Sequence, residues 1–572
     1  MHRIEGDGFA DPRTPQPMTD RTGSTVESER IVTHRAGEPR SGAKYVLYWM
    51  QSSQRPWDNP ALDLAIEEAN RLRLPLLAAF ALTHYPEATL RHYTFMLEGL
   101  AQTHRRLAAR GIPLLMKWDL PWRFAASLAK EAALVVCDGA YLRPTTGWRT
   151  KLAESVDCPV YEVESDVVVP VRAASDKREF AARTIRKKLH ARVDDFLREP
   201  PRLRLRVPAE AGVSGRSPAP GTDLSLPNVS FAGYGDLLDP GDPAGVLAAI
   251  RRAGHSIDES VHPVSRLFPG GPEVALDRFS RFLEERFGSY SDHRNQPHTD
   301  DTSGMSMYLQ YGQVSPIRLL IEARRQVESH RAADREHRGE QTREHYREQY
   351  DDFFEELLVR RELAYNYCHY EPCYDSYDAL PEWARKTLDE HAGDERETLY
   401  SMEQLKAGRT SDEYWNACMK EMRETGYMHN YVRMYWGKRV LMWSATPREA
   451  FARLLSINNR YFLDGLNPAG YANVGWIFGL HDRPWTGRAP PGARLPQARR
   501  SNTPADHHRP CPVLRSRAGR VACSTPSPRR RSGTTGAERA PVVPLPPALC
   551  GSLPIAAAGG RRLRAFRAAR SR

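Results

Sequence analysis

Short apolar runs alternate with helix-spaced segments through the first half of the chain. Residues 45–50 and 76–82 are continuously apolar, which is typical of strands buried on both faces. Asn59 and Pro60 lie between them and suit the N-cap and the first position of a helix. Further elements of the same kind are predicted as strands at 113–118, 134–137 and 160–163 and as a helix over 90–110 that ends at Gly111. This alternation predicts a doubly wound parallel sheet, and therefore an α/β domain.

Beyond residue 245 the alternation disappears and the apolar spacing becomes helical. Helices are predicted over 272–287, 316–327, 350–369, 411–425, 430–444 and 447–455. Residues 199–245 are rich in Pro, Gly and Ser, as in an interdomain linker. The predicted organisation is a disordered leader (1–43), an α/β domain (44–198), a linker (199–245), an all-α domain (246–488) and a disordered tail (489–572).

The positive charge of the chain is concentrated in the predicted tail. The formal net charge is +11, yet residues 489–572 contain 17 Arg, no Lys, one Asp and one Glu, which is +15. Residues 1–488 therefore carry a net −4, so net charge does not indicate that the folded part binds nucleic acid. The tail has no apolar periodicity, which favours disorder. A GC-rich gene read out of frame would encode such lysine-free, Arg- and Pro-rich sequence, so we hypothesise a frameshift near residue 488 or a divergent terminus.

The remaining composition excludes several protein classes. No run of 18 apolar residues occurs, so no membrane-spanning helix is expected, and residues 1–20 lack the apolar core of a secretory signal. Eight cysteines in 572 residues do not form a disulfide framework, which favours a reducing cytoplasm. Cys368, His369 and Cys373 are clustered but lack a second matching pair, so no metal site is predicted. No Gly-x-Gly-x-x-Gly motif follows a predicted strand, and an NAD-type site in the α/β domain is not expected.

Two features of the second half carry candidate chemistry with an ordinary alternative. Residues 302–306 (TSGMS) place hydroxyl side chains beside a glycine, an arrangement that binds phosphate but also caps helices. Trp436 and Trp443 are seven residues apart and so share one helical face, with Trp415 nearby in sequence. A file of tryptophans can carry electrons to a buried redox centre, and it can equally be core packing.

A third feature combines charged and amide side chains. Arg433 precedes Asp464 and Gly465, with Asn458 between them in sequence. A buried pair of arginine and carboxylate is an ordinary structural bridge. Beside a flavin, however, a fixed cation and amide groups would tune the charge and proton positions of the ring. Taken singly, none of the three features is specific.

Five longer motifs make the combination specific. They are KYVLYWMQSSQR (44–55), EELLVRREL (355–363), YMHNYVRMYW (427–436), LDG (463–465) and HDRPW (481–485). In wording and order they resemble class II cyclobutane pyrimidine dimer photolyases, within the photolyase/cryptochrome superfamily, and Trp415 precedes Trp436 by the family's interval. The resemblance covers roughly residues 44–488.

The resemblance implies a fold, an activity and partners. The implied fold is an N-terminal α/β domain followed by a helical FAD-binding domain. The implied activity is that of a deoxyribodipyrimidine photo-lyase, in which light drives an electron from reduced FAD into a pyrimidine dimer flipped out of DNA, so that the cyclobutane ring splits. The implied partner is dimer-containing DNA, bound by a cytoplasmic, nucleoid-associated monomer without membrane association. An antenna chromophore, 8-hydroxy-deazaflavin or a folate, is expected without an assigned residue.

The resemblance also assigns roles to individual residues. Its cofactor-binding residues are Tyr290, Thr302, Ser303, Gly304, Met305 and Ser306 at the phosphates and ribose, Arg433, Asp464 and Gly465 beside the isoalloxazine, and Asn458 facing flavin N5. Its substrate-binding residues are Glu356, Met434 and Trp476, and Glu356 would stabilise charge on the reacting bases unless it is only a helix-surface carboxylate. Its electron relay consists of Trp443 (proximal) and Trp415 (distal), with Trp436 assisting.

Two departures from the family's wording keep alternatives open. Residues 302–312 (TSGMSMYLQYG) differ conservatively from the usual phosphate-loop sequence, so FAD binding is still expected. After residue 488 the lysine-free tail replaces the aromatic and basic segment with which the family closes its helical domain. The alternatives to light-driven repair are a cryptochrome-like FAD photoreceptor and a catalytically impaired binder of damaged DNA.

Overall fold

The apolar runs predicted as strands form one sheet in a computed structural model of the chain. The structure describes residues 16–17, 23–211, 224–226, 229, 231–337 and 340–483. All of them belong to one compact unit, Met1–Val521. The predicted tail lies outside the described residues, as do most of the first 22 residues, part of the linker and the last two residues of the HDRPW motif.

The sheet has a parallel centre and antiparallel edges. The strands are β1 (Gln16–Pro17), β2 (Ile31–Arg35), β3 (Tyr45–Trp49), β4 (Leu76–Leu82), β5 (Leu114–Trp118), β6 (Ala132–Asp138), β7 (Val160–Val163), β8 (Glu210–Ala211), β9 (Leu224–Ser225) and β10 (Leu237–Leu238). Eight of them follow the order β1-β2-β7-β6-β3-β4-β5-β10, and β8 pairs with β9. Pairing is parallel from β7 to β5 and antiparallel where β1, β2 and β10 are added. The predicted doubly wound parallel sheet is confirmed.

Helices flank the sheet and make up the second half of the described chain. They are α1 (Pro60–Leu72), α2 (Leu90–Ala108), α3 (Pro121–Ala129), α4 (Arg143–Ser155), α5 (Val171–Ala174), α6 (Ala182–Phe196), α7 (Pro243–Arg252), α8 (Pro272–Glu285), α9 (Tyr290–His293), α10 (Ser306–Gln310), α11 (Pro316–His337), α12 (Glu340–Phe354), α13 (Arg361–Tyr370), α14 (Glu382–Glu390), α15 (Met402–Ala407), α16 (Glu413–Thr425), α17 (Asn430–Met442), α18 (Pro447–Tyr461) and α19 (Pro468–Ile477). A π-helical segment, Glu355–Arg360, joins α12 to α13. The predicted helical second half is confirmed.

Local signals account for the element boundaries that the sequence predicts well. Asn59 caps α1 by accepting the backbone N–H of Leu62 at 3.3 Å, and Pro60 occupies the first turn. Gly111 ends the α2 region with a φ of 71°, where an added Cβ would lie 2.4 Å from Pro208. Both the conformation and the close contact therefore require glycine.

The predicted disordered leader is wrong for residues 23–43. Its strand β2 pairs antiparallel with β7, burying Ile31 and Val32. Arg30 is fully buried and donates to the carbonyl oxygens of Val167 and Val168 at 3.1 and 2.7 Å. The sequence of this segment looks polar and therefore disordered, but its buried Arg30 is satisfied by backbone acceptors. The predicted linker is also partly structured. Its strand β10 pairs with β5, and α7 follows it in the chain.

The observed helices depart from the prediction at several places, and α14 and α15 are further helices that the sequence pattern did not predict. The helix predicted over 350–369 is interrupted by the π-helical segment, and α19 is absent from the predicted set because Gly470 and Gly475 lower its helix propensity. Helix α6 falls within the predicted α/β domain. It nevertheless buries Ile185 and Leu189 in one apolar cluster with residues of α8, α12 and the π-helical segment.

The two halves are joined at the start of α2. Arg91 is 1% exposed and donates to the carbonyl oxygens of Met422 and Tyr461 at 3.1 and 2.6 Å. His92 Nδ1 accepts the N–H of Thr89 at 3.0 Å, so its Nε2 carries the proton and donates to the carbonyl oxygen of Phe462 at 2.9 Å. The first turn of α2 thereby satisfies carbonyl groups at the C-terminal ends of α16 and α18.

A buried carboxylate accepts hydrogen bonds from the backbone of the 44–55 motif. Asp138, at the end of β6, accepts the backbone N–H groups of Gln51, Ser52 and Ser53 at 2.7, 2.9 and 2.8 Å. These groups lie at the carboxyl end of neighbouring β3, where open α/β sheets bind ligands. In this protein the Asp138 carboxylate, rather than a ligand, accepts their hydrogen bonds.

Candidate active site

Arg433 and Asp464 form a two-point ion pair. The two guanidinium nitrogens Nη1 and Nη2 each lie 3.0 Å from a different carboxylate oxygen. The Arg433 Nε also donates to the carbonyl oxygen of Met428 at 2.9 Å, and the guanidinium lies 3.9 Å from the centre of the Phe462 ring. The Asp464 side chain is 9% exposed and that of Arg433 is 20% exposed. The pairing predicted from sequence is present, with a fixed cation at a partly buried position.

Helix ends explain why these two residues meet. Arg433 lies in the first turn of α17, and Asp464 follows the end of α18. The N–H of Leu463 donates to the carbonyl oxygen of Gly426 at 2.9 Å, which ties the segment after α18 to the turn before α17. Gly465 is required by close packing, because an added Cβ would lie 2.8 Å from the carbonyl oxygen of Asn458.

Asn458 and Asn459 lie at the C-terminal end of α18, next to this pair. Asn458 is 7% exposed and donates from Nδ2 to Oδ1 of Asn459 at 3.1 Å. Asn459 is 1% exposed and donates to the carboxylate of Glu87 at 2.7 Å. Its Oδ1 also accepts the N–H of Leu466 at 3.3 Å. The amide that the sequence singles out is therefore part of a short hydrogen-bond chain.

The hydroxyl-rich loop 302–306 reaches the same region through a tyrosine. Thr302 Oγ1 lies 3.3 Å from the hydroxyl of Tyr427, which follows Gly426. Gly304 has a φ of 65°, and Met305 is buried while Ser303 is half-buried and Ser306 is exposed. Burial raises the pKa of the Tyr427 hydroxyl, which keeps it neutral and able to donate.

Tyr290 and Glu356 both interact electrostatically with Arg294. Tyr290 is buried against Phe353, with ring centres 5.7 Å apart. Burial, and next the charge of Glu356, raise the pKa of the Tyr290 hydroxyl. Arg294 Nη1 donates to Glu356 Oε1 at 2.7 Å, and its Nε donates to Asp352 at 3.2 Å.

Glu356 is presented by the π-helical segment. The buried residues of that segment are Leu357, Leu358 and Val359, so Glu356 lies on the outward side with its side chain 36% exposed. π-helical turns are uncommon and frequently occur at functional sites. The substrate-binding role of Glu356 and its alternative, a helix-surface carboxylate, both stay open at this point.

Trp476 and Met434 are both half-buried. The guanidinium of Arg360, the last residue of the π-helical segment, lies 5.6 Å from the centre of a Trp476 ring. This contact brings α19 next to the segment that carries Glu356. Met434 packs on the apolar cluster to which α17, α18 and α19 contribute.

The three tryptophan rings contact one another in series, and we call this series the stack. Trp415 lies 6.1 Å from Trp436 with nearly parallel rings, and 5.4 Å from Trp443 edge to face. Trp436 also contacts Phe462, 6.3 Å away, which in turn packs under the Arg433 guanidinium. Trp436, rather than Trp443, is therefore the ring in contact with the Arg433–Asp464 side. The expected order of the electron relay, with Trp443 proximal to the flavin and Trp415 distal, stays a prediction.

The structure adds residues that the sequence reasoning missed. Arg294 and Glu87 lie in no motif, and Arg360 lies in the EELLVRREL motif without an assigned role. Each acts across a long sequence separation, so only the spacing of Tyr290 and Arg294 by one helical turn was readable in advance. Among the described residues, no group of three or more His, Cys, Asp or Glu side chains is placed to hold a metal ion. No described helix is both long and apolar enough to cross a membrane.

Comparison with known proteins identifies the family. The DNA photolyase family model matches residues 46–206. The chain is 38% identical to a deoxyribodipyrimidine photo-lyase of Methanothermobacter thermautotrophicus over 81% of this chain and 92% of that relative. It is 36% identical to one of Arabidopsis thaliana over 77% of this chain and 83% of that relative. A Synechocystis cryptochrome shares the fold, with a TM-score of 0.56 and 14% identity over 79% of this chain and 84% of that one. The chain therefore belongs to the deoxyribodipyrimidine photo-lyases, lyases of light-driven DNA repair within the photolyase/cryptochrome superfamily.

Proposed function

We propose that this chain repairs cyclobutane pyrimidine dimers in DNA, as a class II enzyme with FAD as its cofactor. The observation that carries the proposal is the two-point Arg433–Asp464 pair beside the Asn458 amide, joined through Gly426 and Tyr427 to the hydroxyl loop. This arrangement holds a fixed cation, an amide and hydroxyl donors on one side of the helical domain. When bound there, reduced FAD supplies the light-driven electron that opens the dimer.

The residues present fit FAD by the chemistry of their donors. Thr302 and Ser303 offer half-buried hydroxyls beside Gly304, and an added Cβ at Gly304 would lie 3.4 Å from Nε of Arg278. Hydroxyls, a left-handed glycine and a nearby cation suit a pyrophosphate. Arg433 would supply positive charge beside the ring system, which gains negative charge on reduction. Asn458 would meet flavin N5, and Tyr290 would close the phosphate side.

The substrate side of the proposal is built around Glu356. Arg294 holds its carboxylate at 2.7 Å, and Arg360 packs on Trp476 beside it. We expect Trp476 and Met434 to contact the apolar faces of the flipped-out dimer, and Glu356 to hydrogen-bond its bases. DNA binding should weaken as salt rises, because phosphate contacts release counterions, although residues 1–488 carry no net positive charge.

Electron supply and light harvesting are separate parts of the proposal. The stack Trp436–Trp415–Trp443 would carry electrons to the flavin during photoreduction. An 8-hydroxy-deazaflavin or a folate would serve as antenna in the α/β domain, without an assigned site. The protein would act as a monomer on dimer-containing DNA.

The test uses the full chain with FAD in its reduced form and DNA that carries cyclobutane dimers. We expect dimers to disappear under blue light and to persist in the dark. DNA carrying the other major ultraviolet lesion, the (6-4) photoproduct, is the substrate control and should be unchanged. Binding of damaged DNA without light-dependent loss would favour an impaired damaged-DNA binder. Intact flavin absorbance without DNA binding would favour a photoreceptor.

A further inference from the structure

The amide of Asn459 has only one orientation that satisfies both of its fixed neighbours. The carboxylate of Glu87, when ionised, can only accept a hydrogen bond, and the backbone N–H of Leu466 can only donate one. Asn459 places Nδ2 2.7 Å from the former and Oδ1 3.3 Å from the latter. Turning the amide over would oppose donor to donor at Leu466 and acceptor to acceptor at Glu87. Two independent groups therefore set its direction.

The orientation of the Asn459 amide fixes the orientation of the Asn458 amide. The Oδ1 of Asn459 accepts Nδ2 of Asn458 at 3.1 Å, so Asn458 must turn its nitrogen toward Asn459. Its own Oδ1 then points the other way and accepts no hydrogen bond from the described residues. An added Cβ at Gly470 would lie 3.1 Å from Asn458 Nδ2, which shows how closely the side chain is packed in this position.

We infer that Glu87 is a positioning residue that makes Asn458 present its carbonyl oxygen to the flavin site. The inference rests on the proposed function, because it needs FAD with N5 beside Asn458. Oxidised flavin has an unprotonated N5, which accepts hydrogen bonds, whereas reduced flavin carries N5–H, which donates. A carbonyl oxygen at that point pairs with N5–H alone. The Glu87–Asn459–Asn458 chain thus favours the reduced form that repair requires, and a residue of the α/β domain sets this preference.

Two residues of this hydrogen-bond network have strained backbone conformations. Glu87 and Leu466 have φ values of 65° and 60°, in the left-handed region that non-glycine residues seldom adopt. Such conformations are energetically unfavourable and persist where the surroundings enforce them. Both groups that orient Asn459 therefore come from residues held in unfavourable conformations.

The test measures the equilibrium constant for two-electron reduction of bound FAD against a reference dye. In Glu87→Lys an ammonium that only donates replaces the carboxylate and favours the turned amides, so Nδ2 of Asn458 would face N5. We expect the reduction constant to fall three- to tenfold, and tenfold corresponds to about 30 mV for a two-electron couple. A positive charge acting only through space would raise the constant, since reduction makes the flavin more negative. The sign of the change separates the two effects.

Two variants serve as controls. Glu87→Gln can still accept through Oε1 and should stay within twofold of the wild type. Glu98 also belongs to the α/β half and accepts the backbone N–H of Gly270 at 2.7 Å, so Glu98→Lys repeats the charge change at a comparable interdomain contact. Thermal melting confirms that each variant is folded. A rise or no change in Glu87→Lys, or a fall equal to that of Glu98→Lys, overturns the inference. Wild-type protein that retains no FAD overturns the proposed function, and the inference with it.

Discussion

His92 Nε2 donates to the carbonyl oxygen of Phe462 across 2.9 Å, two residues before Asp464. This bond joins the first turn of α2, in the α/β half, to the segment that carries the acidic partner of Arg433. The neighbouring Arg91 reinforces the junction through the carbonyl oxygen of Tyr461. The position of Asp464 therefore depends on contacts from both halves of the protein.

The His92 contact predicts a loss of stability in acid. Burial lowers the pKa of His92 to about 4, below its ordinary value, so the folded state binds fewer protons than the unfolded state between about pH 4 and pH 6.5. The free energy of unfolding should fall as the pH falls through that window, by up to about 3 kcal/mol from this group. Urea unfolding of His92→Gln at pH 7.5 and pH 4.5 measures it, and the variant should lose less than the wild type. Burial lowers the pKa of His369 and His481 similarly, so a smaller slope is expected rather than none.

A buried glutamate predicts the opposite pH dependence at higher pH. Glu362 accepts the backbone N–H groups of Val168 and Val169, and burial raises its pKa to about 8. The folded state then binds more protons than the unfolded state between about pH 4.5 and pH 8, so stability is lost as the pH rises through this window. Glu362→Gln should flatten the change by an amount of the order of 1–3 kcal/mol. Equal slopes in the wild type and the variant, from unfolding at pH 5.5 and pH 8.5, would contradict the prediction.

Removing the acidic partner of Arg433 should weaken FAD retention and stability together. Asp464→Asn leaves a partly buried guanidinium without its counter-charge, at an expected cost of about 2–4 kcal/mol. FAD content after gel filtration and the denaturant midpoint are the measurements. Asp378→Asn is the matched control, since Asp378 makes a two-point pair with Arg448 on the exposed surface. That variant should keep its FAD and change the midpoint little. A midpoint for Asp464→Asn as high as that of the control would count against the account.

The order of ring contacts predicts which tryptophan matters most for flavin photoreduction. Trp415 contacts both Trp436 and Trp443, so Trp415→Phe interrupts the stack at its centre. We expect photoreduction to slow at least tenfold, while dimer repair by chemically reduced protein stays within about twofold. Trp118→Phe, in a stacked pair with His255 in the α/β half, is the control and should leave both rates unchanged. Undiminished photoreduction in Trp415→Phe would remove the stack from the electron path.

The strands and the ion pair were predictable, because their signals are local or carried by motifs. Continuous apolar runs predicted β3 and β4, and Asn59 with Pro60 predicted the start of α1. Strand β2, between β1 and β7, was not predictable, since its polar neighbour Arg30 is satisfied by carbonyl groups far along the chain. Backbone pairing of this kind leaves little trace in the sequence.

The arrangement within the site depends on geometry that sequence spacing does not encode. Arg294 meets Glu356 across 62 residues, and Glu87 meets Asn459 across 372. The π-helical segment has no sequence signature, because its residues would also suit an α-helix. The order of the three tryptophans follows from how α16 packs on α17, so the seven-residue spacing of two of them predicts a shared face but not which ring is nearest Arg433.

The most direct test of the account is the number of cyclobutane dimers that the reduced, FAD-containing protein removes from DNA under blue light. Paired reactions in light and in darkness, with Glu356→Gln alongside, isolate the repair step. The account predicts dimer loss by the wild type in light only, and a loss at least tenfold slower in Glu356→Gln with the same FAD content. Unchanged dimer numbers in light, with FAD bound and reduced, would contradict it.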